Sequence, residues 1–206
     1  MSHSIRQEIE EIAKQKAPGP SAAFSVPQIL RALELVTEKP VGRNTLAQQL
    51  AVGEGVARTI VNRLKSAGLI DTSKAGCTLT KKGSKLWHDY QSIVKSVSIE
   101  KNEIVNNDFN VAVLVRKKAH RLKSGIEQRD AAIVAGAGNA TTMAMKEDHL
   151  VIPFVSNDVS EDFPKAAKQI ISLLNPEDGD LVIVVGADSS EKALFGAMAA
   201  AWVFID

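Results

Sequence analysis

Apolar residues recur every three or four positions along the first part of the chain, which is the spacing of a helix with one buried face. This pattern predicts helices over residues 5–16, 27–38, 45–51 and 55–67. The last two are short, and Gly53-Glu54-Gly55 supplies a turn between them. Two short helices joined by a glycine-containing turn are typical of a helix-turn-helix.

A hairpin and a further helix are predicted next. The segments 69–72 and 77–80 have the character of short strands, and the turn between them is Ser73-Lys74-Ala75-Gly76, so the tip of the hairpin is basic. Thr80 is placed to cap a helix that runs through Lys95. A hairpin in this position is expected to form a wing beside the helix-turn-helix.

The pattern changes in the second half, where apolar runs alternate with helical stretches. Strands are predicted over 110–115, 140–145, 150–155 and 180–186, and helices over 118–135, 160–174 and 190–205. Their order is βαββαβ with an added helix, and the economical packing is a ferredoxin-like split βαβ sheet covered by helices on one face. The predicted fold class is therefore α/β (α+β). It combines a winged helix-turn-helix domain with a ferredoxin-like βαββαβ domain and an extra C-terminal helix.

These elements divide the chain into four segments. We expect an N-terminal helix and loop over 1–23, a winged-helix domain over 24–97, a linker over 98–109 and an α/β effector or dimerisation domain over 110–206. The run from Ala193 to Ile205 is apolar around the whole helix, so that helix is expected to be buried on almost all sides.

Composition excludes several classes of protein. With 45% hydrophobic and 24% charged residues, the chain has ordinary globular proportions. One cysteine and four scattered histidines offer neither a disulfide nor metal-ligand spacing, so no metal and no cofactor are expected. The N-terminus lacks the apolar core of a signal peptide, and no apolar run reaches the ~20 residues of a membrane-crossing helix. A cytoplasmic protein is therefore expected.

Net charge is +1, but the two halves of the chain differ in sign. Residues 1–100 hold 14 Lys+Arg and 9 Asp+Glu, whereas residues 101–206 hold 11 and 15. Within residues 40–95, which include the helix-turn-helix and the hairpin, the counts are 9 and 3. Neutralising phosphates requires such an excess of cations, so the predicted partner of the first half is double-stranded DNA.

The second helix of the helix-turn-helix, here called the recognition helix, carries four polar residues at outward positions: Arg58, Thr59, Asn62 and Arg63. Arg can bind guanine and Asn can bind adenine through paired hydrogen bonds, so these residues are candidates for reading base edges. A merely solvated helix face is the alternative interpretation. Other cations are placed to contact phosphates, namely Arg43, Lys65, Lys74, Lys81 and Lys82.

A resemblance to known regulators covers about residues 24–97. It is carried by the helix-turn-helix, then Gly68-Leu69-Ile70, the hairpin, and Leu79-Thr80-Lys81-Lys82-Gly83. This succession is similar to the winged-helix domains of bacterial and archaeal transcription regulators. The resemblance implies DNA binding, although winged helices also serve as protein-interaction modules.

A second resemblance extends over nearly the whole chain. The segments Gly125-Ile126-Glu127-Gln128-Arg129-Asp130-Ala131-Ala132-Ile133 and Asn139-Ala140-Thr141-Thr142 are similar to an archaeal family of winged-helix regulators with a C-terminal domain of unknown function. The general plan also resembles the feast/famine (leucine-responsive) regulators, from which the wing and the extra C-terminal helix depart. Those regulators dimerise and bind amino acids through a ferredoxin-like half, which implies a small-molecule effector by analogy only.

Six polar residues of the second half are candidates for binding such an effector: Arg129, Asp130, Thr141, Thr142, Asp188 and Ser189. These residues have plainer interpretations. Ion pairs within a helix account for much of the group around Arg129 and Asp130, and Asp188 or Ser189 can cap the last helix. The sequence shows no nucleophile elbow, no P-loop lysine and no clearly spaced pair of carboxylates, so catalysis is not expected.

The predicted function is a sequence-specific DNA-binding transcriptional regulator with a C-terminal effector-binding or assembly domain. An enzyme with an appended winged helix is one alternative, and a winged-helix module that binds proteins or RNA is another. A homodimer is expected because one recognition helix reads few base pairs. The candidate dimer surfaces are the helix that carries Trp87, Tyr90 and Val94, and the C-terminal helix.

Overall fold

The structure is a computed structural model, and it describes residues 4–14 and 24–206. The chain divides into an N-terminal unit, Met1–Tyr90 with Asp206, and a C-terminal unit, Gln91–Ile205. Most of the loop expected before residue 24 lies outside the described residues. None of the described helices is long and apolar enough to cross a membrane.

The described part of the N-terminal unit holds a bundle of helices and one hairpin. Its elements are α1 (Ile5–Ala13), α2 (Val26–Leu35), α3 (Arg43–Gln49), α4 (Glu54–Ser66), β1 (Ile70–Ser73), β2 (Gly76–Leu79) and α5 (Lys81–Ile93), the last of which runs past the division between the units. β1 and β2 pair antiparallel, and Val41 adds a bridge to Cys77. The helix-turn-helix and the hairpin are therefore confirmed.

The apolar periodicity of these helices explains their packing. Ile9 and Ile12 of α1 are buried, as are Ile29, Leu30 and Leu33 of α2. Several predicted helix bounds are wrong, and α2 ends at Leu35 instead of residue 38. α1 ends at Ala13 instead of continuing to residue 16, and α3 starts at Arg43 after Gly42, two residues before the start that an Asn44 cap predicted.

The C-terminal unit is built on a five-stranded sheet. Its elements are β3 (Val94–Ser98), β4 (Phe109–Val115), a short 3-10 helix (Ala119–Arg121), α6 (Ile126–Val134), β5 (Asn139–Lys146), β6 (His149–Val151), α7 (Val159–Asp162), α8 (Pro164–Leu174), β7 (Leu181–Ala187) and α9 (Ser190–Trp202). The strand order is β3-β4-β7-β5-β6, and every neighbouring pair is antiparallel. The predicted α/β class and the βαββαβ order with an added helix are confirmed.

The sheet contains two βαβ units, β4-α6-β5 and β6-α8-β7, and in each of them another strand lies between the two strands. β7 lies between β4 and β5, and β5 lies between β6 and β7. The last strand of the four is therefore central, whereas the ferredoxin order places its last strand at an edge. The sequence of β7 explains the central position, because all seven of its residues are buried and a run of this kind needs neighbours and cover on every side.

Helices cover both faces of the sheet, not one. Ala167, Ile170 and Leu174 of α8 belong to a core with alternate residues of the strands, such as Leu114 and Val182. α9 packs against β4 and β7 on the other face, and α6 packs against β5 and α9.

The edge strand β3 was not predicted. The helix expected to reach Lys95 ends at Ile93, and Val94 to Ser98 pair with β4. Residues 98–109, where we predict a linker, also contribute to the C-terminal unit, since Ile99 and Val105 belong to its core. Val94 and Val97 are three residues apart, which continues the helical spacing, so the local pattern favoured a helix.

Three other predicted elements are interrupted in the structure. The helix over 118–135 is replaced by the 3-10 helix and α6, because Gly125 adopts a left-handed conformation with φ of 78°. The helix over 160–174 divides into α7 and α8 at Phe163-Pro164, and the strand over 150–155 ends at Val151, two residues before Pro153. Glycine and proline account for these interruptions.

Burial settles two further expectations. Every residue from Ala193 to Ile205 is buried or half-buried, which confirms a helix enclosed on most sides. The proposal that Trp87, Tyr90 and Val94 form a dimer surface is wrong, since all three are buried. The rings of Trp87 and Tyr90 stack against each other with centroids 5.2 Å apart, and burial raises the pKa of Tyr90.

Candidate nucleic-acid interface

The outer face of α4 is polar because its apolar residues all point into the N-terminal unit. Ile60, Val61 and Leu64 are buried, whereas Arg58 and Asn62 are exposed. Arg58 and Asn62 are four residues apart, so their side chains are neighbours one turn apart on the helix surface. Among the described residues, neither side chain is held in an ion pair or hydrogen bond. Both are therefore available to a ligand.

Thr59 lies on the same exposed face, but its hydroxyl is bonded within the helix. Its hydroxyl donates to the carbonyl of Gly55, four residues earlier, at 3.0 Å. The oxygen keeps its acceptor capacity, and the methyl group is a surface that suits the methyl of thymine.

The β1–β2 hairpin lies beside α4 and carries Lys74, exposed, at its tip. Lys65, in the last turn of α4, donates to the hydroxyl of Thr72 on β1 at 3.1 Å, which ties the hairpin to the helix. The first residue of β2, directly after the tip, needs to be glycine. A Cβ on Gly76 would lie 2.7 Å from the backbone carbon of Val41, and its φ is 131°.

Thr80 joins the hairpin to α5, as the cap prediction required. Its hydroxyl accepts from the N–H of Gly83 at 3.0 Å and donates to the carbonyl of Gly68 at 2.6 Å. Lys81, the first residue of α5, is exposed. Lys82 donates to the carbonyl of Ala67 at 2.9 Å and pairs with Glu8 of α1, so its ammonium is engaged within the N-terminal unit.

Arg43 is exposed at the start of α3 and lies near the single cysteine. Burial raises the pKa of the Cys77 thiol, and the positive charge of Arg43 partly offsets that effect. Arg43, Lys65, Lys74 and Lys81 thus place cations at the start of α3, the end of α4, the wing tip and the start of α5.

Arg63 corrects the prediction that all four polar residues of the recognition helix point outward. Its guanidinium donates to the carbonyls of Ile12 at 2.9 Å and Lys14 at 2.6 Å, at the C-terminal end of α1. The guanidinium also lies 4.9 Å from the centroid of the Phe24 ring, in a cation–π contact. Because position 63 follows Ile60 by three residues, it borders the buried stripe of α4. The spacing of three residues from Ile60 indicated that Arg63 could bind within the N-terminal unit.

Arg63→Ala is expected to loosen α1 from the N-terminal unit. Hydrogen bonds to a charged group contribute about 1.5–3 kcal/mol, so amide hydrogen exchange in residues 5–13 should accelerate by roughly 10- to 100-fold. Arg63→Lys is expected to lose most of the same stability, since an ammonium has neither the planar fork nor the stacking surface.

The control for the Arg63 variants is Arg58→Ala, at an exposed position on the same helix. Exchange in α1 should be unchanged in that variant, because surface substitutions usually alter stability by less than about 0.5 kcal/mol. Equal exchange in Arg63→Ala and the unsubstituted protein would contradict the structural role of Arg63.

The effector candidates belong to α6, to β5 and to the residues that directly precede α9. Arg129 and Asp130 are exposed on α6 and approach each other to 3.4 Å. Asp188 bonds to Lys192 at 2.8 Å, and this hydrogen bond lowers the pKa of the Asp188 carboxyl. Ser189 caps α9 by accepting from the backbone N–H of Lys192. Ion pairing within a helix and capping of α9 are the alternative roles that the sequence predicted for these residues.

Thr141 and Thr142 lie in the middle of β5, and Thr142 is opposite Ile183 of β7. Ile183 is four residues from Ala187, the last residue of β7. At ~3.3 Å per residue, these two positions are about 13 Å apart, so Asp188 and Ser189 lie beyond the end of β7 and away from Thr142. The hydroxyl of Thr142 is buried and has no partner among the described residues. In residues 4–14 and 24–206, no three His, Cys, Asp or Glu side chains are grouped closely enough to hold a metal ion.

Comparison with family models divides the chain in the same way as its fold. Residues 27–94 match the CggR N-terminal DNA binding domain, and residues 105–203 match a domain of unknown function, DUF4443. The first match contains α2 to α5 and the wing, together with every residue of the polar α4 face.

Two individual proteins are similar to the chain. The central glycolytic genes regulator of Priestia megaterium (strain DSM 319 / IMG 1521) is 39% identical over 71 residues, which are 34% of this chain and 20% of that regulator. The chain thus matches only a fifth of that relative's length. The solved structure of the hypothetical protein PH0730 from Pyrococcus horikoshii OT3 is 28% identical with a TM-score of 0.72, and the match covers 88% of this chain and 92% of that one. The likeness to PH0730 therefore includes both units, whereas the likeness to a regulator is confined to one segment.

Proposed function

We propose that this protein is a DNA-binding transcriptional regulator whose N-terminal unit binds duplex DNA through α4 and the wing. The observation that carries the proposal is the exposed pair Arg58 and Asn62, on the second helix of a helix-turn-helix that matches a DNA-binding domain. A helix in this position enters the major groove, where Arg and Asn side chains reach the edges of guanine and adenine.

The surrounding cations supply the contacts that do not read sequence. Arg43, Lys65, Lys74 and Lys81 are exposed around α4 and would neutralise phosphates on either side of the groove. Lys82 and Arg63 contribute less in this proposal, because Lys82 forms an ion pair with Glu8 and Arg63 bonds to several carbonyls of α1 and its end, whereas Lys65 has a hydrogen bond to the hydroxyl of Thr72. Four phosphate contacts per chain give a slope of log K against log salt of about −3.6, at −0.9 for each contact, and about twice that for a dimer.

The test is selection of duplexes from a random-sequence pool with the full chain, followed by fluorescence-anisotropy titration of the enriched duplex at several salt concentrations. Arg58→Ala and Asn62→Ala should each reduce discrimination against altered sites by about 1–3 kcal/mol, since each removes a paired contact to one base. Lys74→Ala should weaken binding to all duplexes alike and make the salt slope shallower by about one unit.

Lys168→Ala is the matched control, because Lys168 is an exposed lysine of α8 in the C-terminal unit. It should leave affinity and salt slope unchanged. If no duplex is enriched at low salt, or if Arg58→Ala and Lys168→Ala behave identically, DNA binding through α4 is refuted.

For the C-terminal unit we propose assembly into a homodimer, which would present two recognition helices to two half-sites. Arg129 approaches Asp130 and Asp188 bonds to Lys192, so these predicted effector residues already have partners, which supports assembly more than an effector pocket built from them. A small-molecule effector stays a prediction for this unit. The buried, unpartnered hydroxyl of Thr142 is the predicted residue with free hydrogen-bonding capacity to offer it.

A further inference from the structure

The outer face of α6 is apolar and uncovered within the described residues. Ile126 is 54% exposed, Ile133 is 43% exposed, and Val134 is exposed almost completely. The opposite face of the helix is packed into its own unit through Gln128 and Ala132. One face of α6 is therefore packed against the C-terminal unit, and the opposite, apolar face is exposed among the described residues.

Charges flank this apolar face asymmetrically. At 3.6 residues per turn, positions seven apart differ by only about 20°, so Ile126 and Ile133 form a line along the helix, roughly 10 Å long. Asp130 lies about 40° to one side of Ile126, and Arg129 lies about 60° to the other side. Both charged side chains are exposed. One flank of the apolar line is thus negative and the other positive.

We infer that this face binds α6 of a second copy of the chain, with the two helices parallel about a two-fold axis. The inference rests on the homodimer of the proposed function and adds the surface that forms it. A two-fold axis parallel to the helices places each isoleucine against the same isoleucine of the other copy. It also brings Arg129 beside Asp130 of the partner subunit, and the symmetry repeats that pair.

The charge pattern selects the parallel arrangement over the antiparallel one. In an antiparallel pair, the same flank of each helix faces the same flank of the other, so Asp130 would approach Asp130 of the partner subunit. Like charges in contact are unfavourable, whereas the parallel pair has two opposite-charge contacts around an apolar line. The self-complementary charges therefore indicate a second copy as the occupant of this face.

The neighbouring helix α9 carries a second apolar stripe. Phe195, Ala199 and Val203 are spaced four residues apart and are half-buried, so they form a second, less exposed apolar stripe. Gly196 packs against α6, since a Cβ there would lie 3.4 Å from the carbonyl oxygen of Ala132. α9 therefore packs directly beside α6.

The first experiment measures the mass of the full chain in solution by multi-angle light scattering. The unsubstituted protein should have twice the 22.1 kDa mass of one chain at micromolar concentrations. Ile126→Glu and Ile133→Glu should each raise the dimer dissociation constant at least about 30-fold, as expected for residues at the centre of an interface. Ile171→Glu is the matched control, because Ile171 is 42% exposed but lies on α8, against the other face of the sheet.

The second experiment tests the arrangement without changing the apolar residues. Arg129→Asp and Asp130→Arg should each weaken the dimer, and the double variant should restore it. The parallel pair places Arg129 beside Asp130 of the partner subunit, in addition to the contact of 3.4 Å between the two side chains of one chain, whereas the antiparallel pair does not. Ile133→Cys should form a disulfide between the two copies on mild oxidation, since the parallel axis juxtaposes position 133 with itself. The native Cys77 is buried and does not compete.

A monomeric unsubstituted protein would overturn the inference. So would a dimer that Ile133→Glu leaves intact, or a charge-swapped double variant that is weaker than both single variants. Circular dichroism of each variant separates dissociation from unfolding, and the exposed charge swaps remain informative if a glutamate variant does not fold. A monomer that still binds duplex DNA would refute this surface alone, whereas an α6-dependent dimer without DNA binding would refute the proposed function alone.

Discussion

A chain that lacks residues 193–206 is expected to lose the fold of its C-terminal unit. α9 covers β4 and β7, and its removal would expose Val111, Val113 and Ile183 on that face of the sheet. Burial of a large apolar side chain contributes roughly 1.5–3 kcal/mol, so losing several together exceeds most of a typical 5–15 kcal/mol stability. The truncated protein should aggregate or lose its strand signal in far-ultraviolet circular dichroism.

The N-terminal unit should remain folded in that truncated chain, and tryptophan fluorescence can report it. The sequence contains two tryptophans, and the truncation removes Trp202 and leaves Trp87 in the N-terminal unit. A cooperative transition of Trp87 fluorescence in urea would show that this unit still folds.

A pair of single substitutions in α9 provides the control for the truncation. Ala197→Asp places a carboxylate at a side chain that is 1% exposed, and it should reproduce the loss because an unpaired buried charge is strongly unfavourable. Ala199→Asp, two residues further along and half-buried, should have a much smaller effect. A soluble truncation with unchanged strand content would show that α9 is a detachable element.

The N-terminal unit was predictable because its signals are local. The stripe that contains Ile60 and Leu64, the glycine turn before α4 and the Thr80 cap each lie within a few residues of one another, and the structure contains all three. Exposure of Arg58 and Asn62 followed from the same helical period. The DNA-contact role assigned to these residues depends on a ligand and stays a prediction.

The sheet order of the C-terminal unit was less predictable because it depends on contacts between distant segments. The order of elements was visible in the sequence. No residue near β7 indicates that this strand lies between β4 and β5 and not at the edge of the sheet. The apolar run from Leu181 to Ala187 was a hint, since an edge strand rarely carries such a run. β3 was hidden because its five residues directly continue a helical pattern.

Arg63 and α6 show why outward and inward positions need the tertiary structure. Arg63 is polar and lies beside Asn62 in the sequence, yet its partners are the carbonyls of α1, about fifty residues earlier. Ile126 and Ile133 are apolar and suggest a core, but the fold turns Gln128 and Ala132 inward instead. Helical spacing identifies the faces of a helix, and only the neighbouring elements decide which face is buried.

Gly83→Ala is expected to destabilise the N-terminal unit by about 3 kcal/mol or more, the upper range for overpacking of a core. Gly83 is buried in the first turn of α5, where a Cβ would overlap the carbonyl oxygen of Leu69 and lie 2.9 Å from the carbonyl carbon. Leu69 directly precedes β1, and its carbonyl also accepts from the N–H of Thr80. The backbone would have to move, and with it the junction that holds the wing against α5.

Gly55→Ala is the matched control, because a Cβ at Gly55 would meet no atom within 4 Å. Since alanine favours the helix more than glycine does, this variant should be more stable by about 0.5–1 kcal/mol. Urea denaturation followed by circular dichroism and tryptophan fluorescence measures both variants. If Gly83→Ala unfolds at the same urea concentration as the unsubstituted protein, the close packing of α5 on Leu69 is wrong, and with it the explanation of how the wing is positioned.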